Sequence, residues 1–116
     1  MYKVLFHIEL DAIEPLKVAI GNINNLLKEI PKSQCDIVVV ANYKGPLLFV
    51  KNMFDQELYT DIKKLHEMGV VFLMCNNSLN NLNLRKEDLI EEVGVTKAGI
   101  LEIIKRQAEG YAYVRT

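Results

Sequence analysis

Ile37-Val38-Val39-Val40-Ala41, entered from Asp36 and left at Asn42, is an unbroken apolar run in which four residues are β-branched. A strand with one wet face alternates apolar and polar residues, and this one does not. Both its faces must be covered, which is the situation of an inner strand of a parallel sheet between helix layers. Working back from it, Val4, Leu5, Phe6 and Ile8 make a second such run without helical period, predicting a strand over 2–8. Between the two, Leu16, Ala19, Ile20, Ile23, Leu27 and Ile30 recur at helical spacing, with Pro15 in the first turn and Pro31 as the stop.

Working forward, Gly45-Pro46 marks a turn, and Leu47 to Val50 suits either a strand or a helical turn, of which the helical turn fits better. Asp55 reads as an N-cap for a helix whose stripe is Leu58, Tyr59, Ile62, Leu65 and Met68, closed by Gly69. Val70 to Met74 is a third buried strand ending at Cys75, followed by an Asn-rich short helix with Leu79 and Leu82 on one face. Glu87 to Glu92 reads as a helical turn and Val93 to Val95 as a short fourth strand. Thr96 is placed to cap a last helix with Ile100, Leu101, Ile104 and Ala108 facing inward, and Tyr111 to Val114 is a final strand after Gly110. This alternation predicts one α/β domain over 1–116, a three-layer α/β/α sandwich with a mostly parallel five-stranded sheet, Rossmann-like in the broad sense.

The 116 residues are 50% apolar and 25% charged, with a net charge of −1, which suits one packed domain and excludes low-complexity disorder. A near-neutral chain lacks the positive surface that nucleic-acid binding demands. No apolar run approaches the roughly 20 residues that span a bilayer, and the first apolar stretch is soon broken by His7, Glu9 and Asp11, unlike a signal peptide. The expectation is a cytoplasmic protein that binds neither nucleic acid nor membrane. Cys35 and Cys75 form no CxxC, and His7 and His66 no HExxH, so no metal site is predicted. Glu9 and Asp11 stand where a glycine-rich phosphate loop would follow the first strand, so no nucleotide cofactor is predicted either.

Ligands of open parallel sheets bind beyond the carboxyl ends of the strands. Here those ends hold His7, Asn42 with Tyr43, Cys75 and Thr96. His7 is either a proton-transfer group or a rim residue that bonds its neighbours, and His66 at a helix end reads as solvated. Cys35 precedes a strand and Cys75 follows one, so the two lie on opposite rims, too far apart for a disulfide. Cys35 reads as a structural residue. Cys75 is either the last buried residue of its strand or a thiolate favoured by the N–H groups of the helix that follows. Tyr43, Leu47, Leu48, Phe49, Val50, Met53 and Phe54 crowd one connection. Either they form an exposed apolar patch that meets another protein, or the segment folds down as a short buried helix.

The run Gly69-Val70-Val71-Phe72-Leu73-Met74-Cys75 and the short polar helix after it resemble the cysteine-bearing strand of the DsrE/DsrF-like sulfur-relay proteins. Phe6-His7-Ile8, Gly45, and the stretch from Ala98-Gly99-Ile100 through Arg106-Gln107 to Glu109-Gly110-Tyr111-Ala112-Tyr113-Val114 extend that resemblance over nearly the whole chain. The last stretch points to the small stand-alone branch. The resemblance implies that Cys75 carries sulfur as a persulfide and passes it to an acceptor thiol without metal or organic cofactor. His7, Asn42, Tyr43, Asn76, Asn77, Ser78 and Thr96 would shape its pocket, and a sulfur donor or acceptor protein would be its partner. It also implies homo-oligomers, trimers or hexamers, for which Leu47, Leu48, Phe49, Met53 and Phe54 are the candidate interface. One departure stands out. Relatives often place an arginine and a glycine soon after the cysteine, whereas here residues 76–83 are Asn-Asn-Ser-Leu-Asn-Asn-Leu-Asn and the nearest following cations are Arg85 and Lys86. A thiolate at Cys75 must therefore rely on helix-end N–H groups and amide donors. The competing reading is a non-catalytic module of the same fold, binding a small ligand or assembling with an incidental thiol.

Overall fold

In the computed structural model, which describes every residue except Phe54 and every side chain except those of Met53 and Phe54, the run at 37–41 lies at the middle of the sheet. Strands β1 (Tyr2–Ile8), β2 (Cys35–Ala41), β3 (Val71–Cys75), β4 (Val93–Thr96) and β5 (Ala112–Arg115) take the order β4-β3-β2-β1-β5. Every pairing is parallel, as the continuous apolarity of β2 requires. In register, Phe6, Val39, Phe72 and Val93 run side by side on one face, while Leu5, Val38 and Val71 do so on the other.

The helices load the two faces unequally. Helices α1 (Ile13–Glu29) and α2 (Gln56–Glu67) bury Leu16, Ala19, Ile20, Ile23, Leu58, Ile62 and Leu65 against Phe6, Ile8, Val39, Phe72 and Met74. Asp55 caps α2 as its residue type predicts, its Oδ1 accepting from the Leu58 N–H at 3.0 Å. Met68, expected at the end of this stripe, is instead exposed, since α2 has already ended at Glu67. The short α3 (Asn76–Asn81) follows β3 directly and turns Leu79 into the same core. On the opposite face, among the described residues, α4 (Gly99–Ala108) is the one helix, burying Ile103 over Leu5, Val38 and Val40.

Three expectations for the stretch from 87 onward are corrected. Ile100, Leu101 and Ile104 are 62%, 53% and 55% exposed and Ala108 is exposed too, because the stripe facing the sheet is Gly99 and Ile103. Thr96 does not cap α4, whose N-cap is Ala98; its hydroxyl donates instead to Glu102 at 3.2 Å. The helical turn expected over 87–92 is confined to Lys86–Asp88, and Leu89 goes on to bridge Val50 while Glu92 is buried.

Residues Gly45–Phe49 and Lys51–Met53 form two 3₁₀ turns, so the connection folds down onto the core. Phe49 is fully buried with its ring 6.3 Å from that of Phe72, and Leu47 and Leu48 are half-buried. The expected exposed patch is therefore absent at Leu47, Leu48 and Phe49; Phe54 and the side chain of Met53 lie outside the described residues. Among the described residues no helix is long and apolar enough to cross a membrane.

Candidate functional site

Cys75 is at once the last residue of β3 and the N-cap of α3, 5% exposed. Its sulfur therefore sits where the free N–H groups of a helix start converge. A second helix start adds to the first, because α4 begins at Gly99 on the neighbouring side. A Cβ placed on Gly99 would lie 3.2 Å from the Cβ atoms of both Cys75 and Asn42, tighter than ordinary contact, so the glycine lets α4 approach this closely without displacing either neighbour. Burial pushes the Cys75 thiol up, but hydrogen bonds from the Ser78 hydroxyl and from the N–H groups of Gly99, Ser78 and Asn77 outweigh it. The thiol is held below its ordinary value. No cation takes part in this shift, consistent with the Asn-rich stretch after the cysteine.

The loop after β2 orients these donors. The Tyr43 N–H donates to Ser78 Oγ at 2.8 Å, which occupies a lone pair of the hydroxyl and leaves its hydrogen for the sulfur. Tyr43 does this from a left-handed conformation, φ +55°, uncommon for a residue with a side chain. The loop is pinned by bonds from the Asn42 N–H to Ile8 O at 3.1 Å and the Lys44 N–H to Glu9 O at 2.9 Å. Gly45 is required here, since a Cβ would meet Ile8 O at 2.5 Å.

On the same rim, at the end of β1, His7 is 7% exposed and bonded at both ring nitrogens: Nε2 lies 2.7 Å from Asn42 Oδ1 and Nδ1 lies 2.6 Å from the Tyr113 hydroxyl. The amide oxygen only accepts, so Nε2 carries the hydrogen, and in the neutral ring Nδ1 then accepts from the phenol. The structure thus gathers His7, Asn42, the Tyr43 backbone, Cys75, the Asn77 backbone and Ser78 at one rim. The Tyr43 ring and the Asn76 and Asn77 side chains face solvent. Thr96 is opposite Cys75 in register, with its hydroxyl given to Glu102. Cys35 opens β2 at the other rim, fully buried, and neither cysteine is in a disulfide. Gly99 and Tyr113 were not legible as site residues. The only trace of them in the sequence was their place in the distinctive C-terminal stretch.

Among the described residues no group of three or more His, Cys, Asp and Glu side chains is placed to hold a metal ion. A cavity of about 280 Å³ lined by Lys51, Gln56, Tyr59, Ile90 and Glu91 shares no residue with the thiol site.

The profile of the DsrE/DsrF-like family matches residues 14–116. The chain belongs to the DsrE/DsrF-like family. A solved structure of a protein of unknown function, MTH1491 from Methanobacterium thermoautotrophicum, is 34% identical over the whole of both chains, with a TM-score of 0.88. The YchN protein of E. coli shares the fold over the whole of both chains, TM-score 0.80, at 11% identity. Among curated proteins none matches. Family membership and the all-parallel α/β fold therefore stand together, and the family is one associated with sulfur relay.

Proposed function

We propose that this chain is a cytoplasmic sulfur carrier. The Cys75 thiolate attacks the outer sulfur of a donor persulfide; the new S–S bond forms as the donor's breaks, and the donor sulfur leaves as a thiolate. Delivery is the same exchange run onto an acceptor thiol, with Cys75 as the leaving group. Electrons balance in both steps, so no oxidant is needed. The observation that carries this reading is the place of Cys75 at the start of α3 with the start of α4 packed against it, where donors from Ser78, Asn77 and Gly99 hold the thiol low. It favours the attacking thiolate in loading and the departing one in delivery. Two free, buried cysteines suit a reducing compartment.

The test is uptake of sulfur from inorganic polysulfide, read as a protein mass increase of one sulfur atom. It should occur in the wild type and in Cys35→Ser, and be lost in Cys75→Ser. A Cys75 pKa at or above the ordinary value of about 8.5, with no persulfide formed, overturns the proposal.

The assembly half of the competing reading has its own support. Ile100, Leu101 and Ile104 on α4, with Val71 at 42% and Tyr113 at 40% exposure on the same side of the sheet, leave an apolar surface uncovered. We place the interface of a homo-oligomer there, a trimer or a hexamer by family resemblance, rather than at the buried connection 45–50. This is compatible with sulfur transfer, because α4 starts at the thiol.

A further inference from the structure

We propose that Asn42 is the residue that holds the transferred sulfur atom, and that His7 and Tyr113 are positioning residues that decide which end of its amide the sulfur meets. The inference rests on the persulfide reading above and names the contact that reading lacks.

The cradle around Cys75 is committed to Sγ. A persulfide adds a second sulfur about 2 Å further out, beyond those donors. That outer sulfur is the atom an acceptor thiolate must reach, and its charge repels the attack unless a donor draws it off. Asn42 is the adjacent side chain: its Cβ and that of Cys75 flank the same Gly99 position at 3.2 Å each. Its amide oxygen is engaged with His7 Nε2 at 2.7 Å, while among the described residues its amide nitrogen has no protein partner and is not sealed from solvent. The residue whose Cβ shares the Gly99 position with that of Cys75 thus carries a donor with a free hydrogen.

The Tyr113–His7 pair gives that donor its direction. With the phenol donating to Nδ1, Nε2–H donates to Asn42 Oδ1, and the NH₂ end is turned away from His7. The reverse chain would need the amide flipped, presenting its oxygen to the sulfur, and a thiolate or persulfide anion repels an oxygen lone pair. The charge on sulfur therefore favours the amide orientation in which Oδ1 faces His7, and the Tyr113–His7 pair accommodates it with the phenol as donor. In delivery the acceptor thiolate attacks the outer sulfur, the S–S bond breaks, and its electron pair returns to Sγ within the cradle. Asn42 reduces the charge on the attacked atom, and the cradle receives the charge on the leaving one.

The experiment loads wild type, Asn42→Ala, Asn42→Asp, Tyr113→Phe and the Asn42→Ala/Tyr113→Phe double variant with inorganic polysulfide. It then follows sulfur transfer to free cysteine by mass, and measures the thiol pKa of each unloaded protein. Asn42→Ala should slow transfer about tenfold, the worth of one hydrogen bond to a charged atom, with Asn42→Asp slower still. Tyr113→Phe should slow it less, and add nothing in the Asn42→Ala background. The Cys75 pKa in Asn42→Ala and in Tyr113→Phe should stay at the wild-type value, since neither residue is among its donors. Unchanged transfer in Asn42→Ala, additive effects in the double variant, or a shifted thiol pKa in Asn42→Ala would overturn the assignment while leaving the carrier intact. A wild type that takes up no sulfur would instead remove the carrier reading, and this inference with it.

Discussion

Ser78 serves two partners at once, accepting from the Tyr43 N–H and donating to the Cys75 sulfur, so its removal should be read out at the thiol. Ser78→Ala is expected to raise the Cys75 pKa and slow alkylation by iodoacetamide at neutral pH roughly threefold to tenfold. The stability consequence has a definite sign. A thiol whose folded pKa is depressed contributes stability that is fully present above the unfolded pKa and is lost as pH falls through the folded one. Urea unfolding of wild type and Cys75→Ser should thus diverge in favour of wild type as pH rises toward the ordinary thiol value, and the divergence should shrink in Ser78→Ala. Equal pH dependence of the two proteins would rule out the cradle as a thiolate site. At this scale the sequence named Cys75, Asn42 and His7 from strand ends alone. It did not name Tyr113 or Gly99, because their role depends on which strand and which helix end come to lie beside the thiol.

Elements were legible where apolar periodicity was continuous, as in α1, α2 and the three inner strands. They were misread where a few apolar residues fit two placements. In α4 the residues Ile100, Leu101, Ile103 and Ile104 offer more than one stripe, and only contact with Leu5, Val38 and Val40 selects Ile103. In the connection after β2, burial of Phe49 against Phe72 turns a predicted patch into core. That connection also fixes the site, through Gly45. Gly45→Ala forces a Cβ into Ile8 O, and is expected to cost about 1–3 kcal/mol in chemical denaturation. It should also raise the Cys75 pKa, by drawing Tyr43 away from Ser78. A variant of wild-type stability with an unshifted thiol would show that the loop is not what orients the hydroxyl.

For the whole molecule, the uneven loading of the sheet carries the prediction. One face is covered by α1 and α2, the other by the ten residues of α4, which turn three large apolar side chains outward. Light scattering is expected to give a trimer or a multiple of it, and Ile100→Asp/Ile104→Asp is expected to yield a folded monomer. A monomeric wild type at micromolar concentration would refute the assembly. A variant that stays oligomeric would move the interface elsewhere. Phe49→Asp, by contrast, should unfold the chain, because it buries a charge in the core. The sequence by itself determined the α/β class and the parallel sheet, since these follow from local period and from which runs are apolar on both faces. It also set the cysteine at a strand end, because strand ends are read locally. Only the tertiary structure decided that β5 lies beside β1, that α4 starts against the thiol, and which apolar residues of α4 remain outside. These are contacts between residues far apart in the chain, for which local pattern carries no energy term: His7 meets Tyr113 across 106 positions, and nothing near either residue records it.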